Sequence, residues 1–183
     1  MLFLLLVTMS ASYLVRIYAW RTVMGGDGLI NAVALWLGLT RESHYYLLYS
    51  QSGVVLVLVS LNVPLVTLPI YSALRNIGPE IIEAARDLGA SAATTFRRVT
   101  FPLSAPGVRS SFLFGFILCS SDYVVPRLIG GPSGVLIGVN IGDQFGVVNN
   151  WPLGSALTFV MIAVFLAVFG LVELLLRQLR LYR

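Results

Sequence analysis

PEIIEAARDLGASAATTFRRVTFP, residues 79–102, is a long polar stretch between otherwise apolar runs of the sequence. Its first half has the features of a helix. Gly78 can cap the helix, and Pro79 suits the first helical position, where a missing N–H leaves no hydrogen bond unmade. Apolar side chains then recur at the spacing of one helical face, at Ile81, Ala84, Ala85 and Leu88.

The second half of the stretch predicts a bend and another short helix. Gly89 can end the first helix in a left-handed turn. Ser91 can cap a second helix, and we expect Pro102 to bound it. The sequence therefore predicts a loop of two short helices with a bend at Gly89.

Composition indicates an integral membrane protein. The chain has 183 residues, of which 57% are hydrophobic and 11% charged, whereas a soluble domain has about 25% charged residues. The formal net charge is +4, and every basic residue is an arginine. These arginines flank apolar runs, which favours a role in membrane topology over nucleic-acid binding.

The residue types exclude several kinds of chemistry. Without lysine the chain has no P-loop lysine for a Walker A ATPase site and no Schiff-base lysine. The single Cys119 and the single His44 do not make up a His/Cys metal site, and we expect His44 to lie at the membrane interface. The sequence therefore predicts no catalytic residues, no metal site and no cofactor.

Apolar runs predict an all-α, polytopic transmembrane protein with one domain over residues 1–183. A membrane helix needs roughly 20 apolar residues. Four spans and one cytosolic loop follow from this length, with approximate bounds 1–24, 53–74, 107–126 and 153–173 for the spans and 75–106 for the loop.

The arginines are distributed unequally between the two sides of such a topology. Eight fall on the side of the loop and the C-terminus, and four on the other. Because arginine is enriched in cytosolic segments, both termini are expected in the cytosol. The larger set is Arg75, Arg86, Arg97, Arg98, Arg109, Arg177, Arg180 and Arg183, and the smaller is Arg16, Arg21, Arg41 and Arg127.

The polar stretch resembles the signature loop of inner-membrane permease subunits of binding-protein-dependent ABC importers. The family pattern is E-A-A, three residues, G, nine residues, I-x-L-P. Here Glu83-Ala84-Ala85, Gly89 and Pro102 match at the same spacing, whereas Val99 and Phe101 replace the family's isoleucine and leucine. Segments 12–20 and 149–154 are similar to the spermidine/putrescine group of these permeases.

The resemblance implies a transport subunit of the plasma (inner) membrane, driven by a separate cytosolic ATP-binding subunit. A second permease subunit, a periplasmic solute-binding protein and membrane lipid are the other implied partners. A small solute such as a polyamine would cross the membrane. ATPase coupling would be carried by Glu83, Ala84, Ala85, Arg86, Asp87, Gly89 and Pro102.

The family pattern usually has six spans, with the signature loop between the fourth and fifth, and here two spans precede the loop. Three alternatives would explain this difference: the start codon is placed late, the gene is truncated, or the short form of the protein is real. The alternative function is therefore a truncated or accessory membrane protein that binds a partner without transporting.

Three residues are candidates for the substrate pathway: Asp122, Tyr123 and Arg16. Placing a carboxylate within a membrane span costs free energy, so such a residue is a functional candidate. The carboxylate would also attract a cationic polyamine. Alternatively, Asp122 lies at the outer interface and pairs with Arg127. Arg16 either lines the pathway or extends its guanidinium to the interface.

Four glycines recur every fourth residue, at Gly134, Gly138, Gly142 and Gly146. On a helix they would form a stripe of small residues that lets another backbone approach closely.

Overall fold

The computed structural model describes residues 11–40 and 47–178, with no side-chain description for residues 177 and 178. These residues form helices and turns, and no strand occurs among them. His44 and the first ten residues of the predicted span 1–24 lie outside the described part. The α-helices are α1 (Tyr13–Met24), α2 (Leu29–Trp36), α3 (Gln51–Arg75), α4 (Pro79–Asp87), α5 (Ala92–Thr95), α6 (Phe101–Ser120), α7 (Ile137–Gly146) and α8 (Trp151–Gln178).

Three of the described helical runs are long and apolar enough to cross a membrane. They are Gln51–Arg75, Ala92–Ser120 and Trp151–Leu176. At about 1.5 Å of rise per residue, each exceeds the roughly 30 Å of a bilayer's hydrocarbon core. The all-α, polytopic fold class is therefore confirmed, while the single domain over 1–183, the membrane boundaries and the first span stay predictions.

The prediction that Pro102 bounds the second short helix is wrong. Helix α5 continues through a π turn, Phe96–Thr100, directly into α6, and the run ends at Ser120. The N–H of Phe101 donates to the carbonyl of Phe96, five residues earlier. This wider turn interrupts the regular α-helical pairing next to Pro102, which has no N–H to donate, so the proline does not end the helix.

The chain divides into two compact units. The first comprises Met1–Pro64 and Leu118–Val160. Its core joins α1, the first half of α3 and the segment after α6, and Ile17, Val57 and Ile129 are fully buried there.

The predicted glycine stripe is partly realised within the first unit. A Cβ atom added to Gly138 would lie 2.8 Å from the carbonyl oxygen of Asp122. One added to Gly142 would lie 2.7 Å from the ring of Tyr123. Helix α7 thus approaches residues 121–123 closely through these two glycines, whereas Gly134 precedes the helix and Gly146 has no neighbour within 4 Å.

The second unit comprises Leu65–Ile117 and Met161–Arg183. Within it, the second half of α3 approaches α6 at Gly107, where an added Cβ would lie 2.7 Å from the carbonyl oxygen of Pro69. Helix α8 packs against α6 through an edge-to-face ring pair of Phe116 and Phe165, with ring centroids 5.6 Å apart.

Candidate coupling and pathway sites

Helix α4 carries most of the predicted coupling residues and leaves them accessible. Gly78 occupies the N-cap and Pro79 the first turn, as the sequence predicts. No residue of α4 is buried. Glu83, Ala84, Arg86 and Asp87 are exposed, and Ala85 is half-buried.

The predicted apolar face of α4 is also exposed. Ile81 is 46% exposed, and Leu88, just after the last turn, is 90% exposed. Because an apolar stripe on a short surface helix normally packs against another element, this face is suited to docking.

Gly89 ends α4 in the left-handed conformation, with φ +80°. Its N–H donates to the carbonyl of Arg86 (2.8 Å), and the N–H of Ala90 donates to that of Ala85 (3.1 Å). This pair of hydrogen bonds is the Schellman motif, which confirms the predicted bend. An added Cβ would have no neighbour within 4 Å, so the backbone conformation alone accounts for glycine at this position.

Ser91 caps the next helix, as predicted, because its Oγ accepts from the N–H of Thr94 at 3.3 Å. Pro102 lies beyond the π turn, half-buried in α6. The signature residues are therefore divided between an exposed short helix and the beginning of a candidate span.

Asp122 follows α6 and is held by two donors. The hydroxyl of Tyr13 donates to its Oδ2, and the N–H of Val125 donates to its Oδ1 at 2.9 Å. The sequence alone does not point to Tyr13 as a partner of Asp122, because the two residues are separated by 109 positions.

The alternative in which Asp122 pairs with Arg127 is wrong. Arg127 forms an ion pair with Asp143 of α7, and its guanidinium lies 5.2 Å from the ring centroid of Tyr123. The close approach of α7 at Gly142 accounts for this choice, since Asp143 is the next residue in that helix.

Arg16 lines a cavity of about 440 Å³ between α1 and the first half of α3. Its Nε is buried without a hydrogen-bond partner among the described residues. The remaining lining is mostly apolar, namely Ala19, Trp20, Val23, Ser60, Leu61, Val63 and Pro64. Tyr13 lies one helical turn before Arg16, so α1 carries both the partner of Asp122 and the cation at the cavity.

The sequence belongs to the family described as binding-protein-dependent transport system inner membrane component, which it matches over residues 1–181. The protein is therefore a multi-pass inner-membrane component, as the apolar helices indicate. This class agrees with the signature residues and with the exposed helix that carries them.

Three curated relatives give the comparison more detail. The chain is 35% identical to the spermidine/putrescine transport system permease protein PotB of Escherichia coli K12, over 88% of this chain and 60% of PotB. It is 36% identical to the inner membrane ABC transporter permease protein YdcU of the same strain, over 87% of this chain and 55% of YdcU.

A further relative is the spermidine/putrescine transport system permease protein PotC of Haemophilus influenzae Rd. It is 34% identical over 66% of this chain and 46% of PotC. The chain thus spans between 46% and 60% of the length of these three relatives.

Proposed function

We propose that this protein is the transmembrane permease subunit of an ABC importer and that α4 couples it to a separate ATP-binding subunit. The observation that carries the proposal is the exposed helix at the signature sequence. Its apolar face is unburied, and its end is fixed by Gly89 in a left-handed turn. It lies in the connection between two candidate spans, where movement of a docked subunit would reach both.

The proposed partners follow from the family and from the names of the relatives. They are a cytosolic ATP-binding subunit, a second permease subunit and a periplasmic solute-binding protein. The energy would come from the ATP-binding subunit, because the chain lacks the lysine that a Walker A site requires. The arginine distribution supports cytosolic termini and a cytosolic position for α4, the side on which an ATP-binding subunit would dock.

The proposed solute is a polyamine. The names of PotB and PotC include spermidine and putrescine. In this chain, Asp122 supplies an anionic side chain just after the end of a candidate span. Its Oδ2 faces the hydroxyl of Tyr13, a group that an amine could replace or join as a hydrogen-bond donor. Tyr123 is proposed to flank the same pathway. Arg16 is proposed to mark where the pathway ends, because the positive charge of its guanidinium repels a cationic solute.

Gly89→Arg tests the coupling proposal. A side chain at φ +80° is strained whatever the space, so the Schellman turn and the exit of the chain from α4 should change. We expect membrane insertion to be unaffected, whereas co-purification of the ATP-binding subunit and uptake of radiolabelled spermidine should be lost.

Gly38→Arg is the matched control. Gly38 also has a left-handed backbone, with φ +69°, and also has open space around its Cβ position, but it follows α2. The control should retain capture and uptake. If Gly89→Arg also retained both, coupling through α4 would be wrong. Capture without uptake in the wild type would favour the non-transporting accessory protein.

A further inference from the structure

Two adjacent arginines in the π turn have no role in the proposed coupling or pathway. Arg97 and Arg98 are exposed, and neither pairs with a carboxylate among the residues that the structure describes. With Ala93 and Thr94 they line a concave surface of about 450 Å³. Two unpaired guanidiniums at one depression provide a site for an anion.

Exposed aromatic rings flank the two arginines. Phe96 is 58% exposed and Phe101 40% exposed, and their ring centroids lie 6.3 Å apart. We refer to Phe96, Arg97, Arg98 and Phe101 as the Arg97–Arg98 patch. Aromatic and basic side chains together are typical of a membrane interface, where rings reach the acyl boundary and guanidiniums reach phosphate.

The rest of α6 continues the patch as an apolar surface. Beyond the patch, the exposed side chains of α6 are predominantly apolar, including Leu103, Val108, Phe112 and Phe114. Its buried positions are the small residues Ser104, Ala105, Gly107 and Ser111. From Arg98 to Phe101 the helix rises only about 4.5 Å, so the charged and apolar surfaces are continuous.

From this geometry we propose that the Arg97–Arg98 patch binds the headgroup of an anionic phospholipid in the cytosolic leaflet. The phosphate would lie between the two guanidiniums, and the acyl chains would follow the exposed apolar face of α6. Charge complementarity and the continuity of the patch with the exposed apolar face of α6 favour a lipid over a soluble anion.

The test is a lipid titration of the purified full chain in detergent, followed by native mass spectrometry. Phosphatidylglycerol is the probe, and phosphatidylcholine is the zwitterionic comparison. The double variant Arg97→Gln/Arg98→Gln should bind phosphatidylglycerol about 30-fold more weakly, because each arginine near a membrane surface contributes about a factor of five. Binding of phosphatidylcholine should not change.

Two further variants make the result specific. Arg97→Lys/Arg98→Lys retains the charge and should retain most of the phosphatidylglycerol affinity. Arg75→Gln/Arg86→Gln removes two charges from other exposed positions and should leave the affinity unchanged.

Three outcomes would overturn the proposal. Equal losses in both glutamine variants would mean that overall charge, and not the patch, determines lipid binding. Competition by inorganic phosphate as effective as that by the lipid would indicate a soluble anion. Unchanged lipid affinity in Arg97→Gln/Arg98→Gln, with loss of the ATP-binding subunit on co-purification, would assign the patch to a protein partner.

Discussion

At the scale of single residues, Asp122 is oriented by hydrogen bonds from two neighbours. One carboxylate oxygen accepts from the backbone of Val125 and the other from the hydroxyl of Tyr13. The backbone bond fixes the side chain near the end of α6, while the tyrosine bond is made to a different part of the chain. In the proposed pathway, an amine of the solute would replace the Tyr13 hydroxyl at Oδ2 or join it there.

Asp122→Asn should weaken transport by removing the charge while keeping the shape. The amide oxygen of asparagine can still accept from the N–H of Val125, so folding should be retained. We expect the KM for spermidine uptake to rise about tenfold, corresponding to about 1.4 kcal/mol of binding. The measurement is radiolabelled uptake in cells that produce equal amounts of each variant.

Tyr13→Phe and Asp143→Asn are the comparisons for this change. The first removes the hydrogen bond to Asp122 but leaves its charge, so the KM should change little or fall. The second removes a carboxylate that already pairs with Arg127 and should not affect the KM for spermidine. A KM unchanged by Asp122→Asn would remove Asp122 from the proposed pathway.

Sequence predicted local features better than tertiary pairs. The left-handed Gly89 and the capping Ser91 follow from backbone preferences that act over a few residues. The ion pair of Arg127 with Asp143 depends on how closely α7 packs against residues 121–123, which residue spacing alone does not specify. The same holds for the contact of the Asn62 amide with the Sγ of Cys119, 3.5 Å away at the edge of the core of the first unit.

At the scale of helices, small residues determine how closely α3 and α6 approach within the second unit. Gly107 faces the carbonyl of Pro69 and the methyl group of Ala73, and Gly115 faces the side chain of Val66. Backbone atoms on the facing helix move less readily than the end of a flexible side chain. Gly107 is therefore the more constrained of the two positions.

Gly107→Ala should destabilise the protein by about 1–3 kcal/mol, because the added methyl group would press on the backbone of α3. Thermal unfolding in detergent, followed by tryptophan fluorescence, measures this effect. Gly170→Ala is the control, since an added Cβ on α8 would have no neighbour within 4 Å. Its expected effect is neutral or stabilising. Equal unfolding temperatures for Gly107→Ala and the wild type would mean that α3 and α6 can move apart to accommodate the methyl group without loss of stability.

Pro102 shows why the helix boundary was predicted incorrectly. A proline far inside a helix normally interrupts the hydrogen-bond ladder, so a boundary was the simplest expectation. The sequence does not mark the π turn at Phe96–Thr100, which shifts that ladder just before the proline. Only the backbone structure shows where the helical hydrogen bonds change from the α to the π pattern.

At the scale of the whole molecule, the three candidate spans and the arginine distribution predict a topology that can be tested directly. The connection between α3 and α6 should face the cytosol, and the connection between α7 and α8 should face the periplasm. Both connections contain exposed residues, Ala93 in the first and Val148 in the second.

Single cysteines at these positions should react differently with a membrane-impermeant maleimide. In a Cys119→Ser background, Val148→Cys should be labelled in intact cells, whereas Ala93→Cys should be labelled only after the membrane is permeabilised. The background without an added cysteine is the control for unspecific reaction. Labelling of Ala93→Cys in intact cells would invert the proposed topology and place α4 away from any ATP-binding subunit.

The π turn also bears on how far the chain before it is rotated about the helix axis relative to α6. It contains one residue more than an α-helical turn would, and each α-helical residue turns the chain by about 100°. Because the wider turn takes up its extra residue in about one rotation, deleting one residue from Phe96–Thr100 would restore an uninterrupted helix and leave α4 facing nearly as it does now. Deleting one residue within α6 would instead rotate its two ends relative to each other by about 100°. The direction in which α4 points from its span should therefore tolerate the loss of one residue in the π turn, but not in the regular α-helix that follows it.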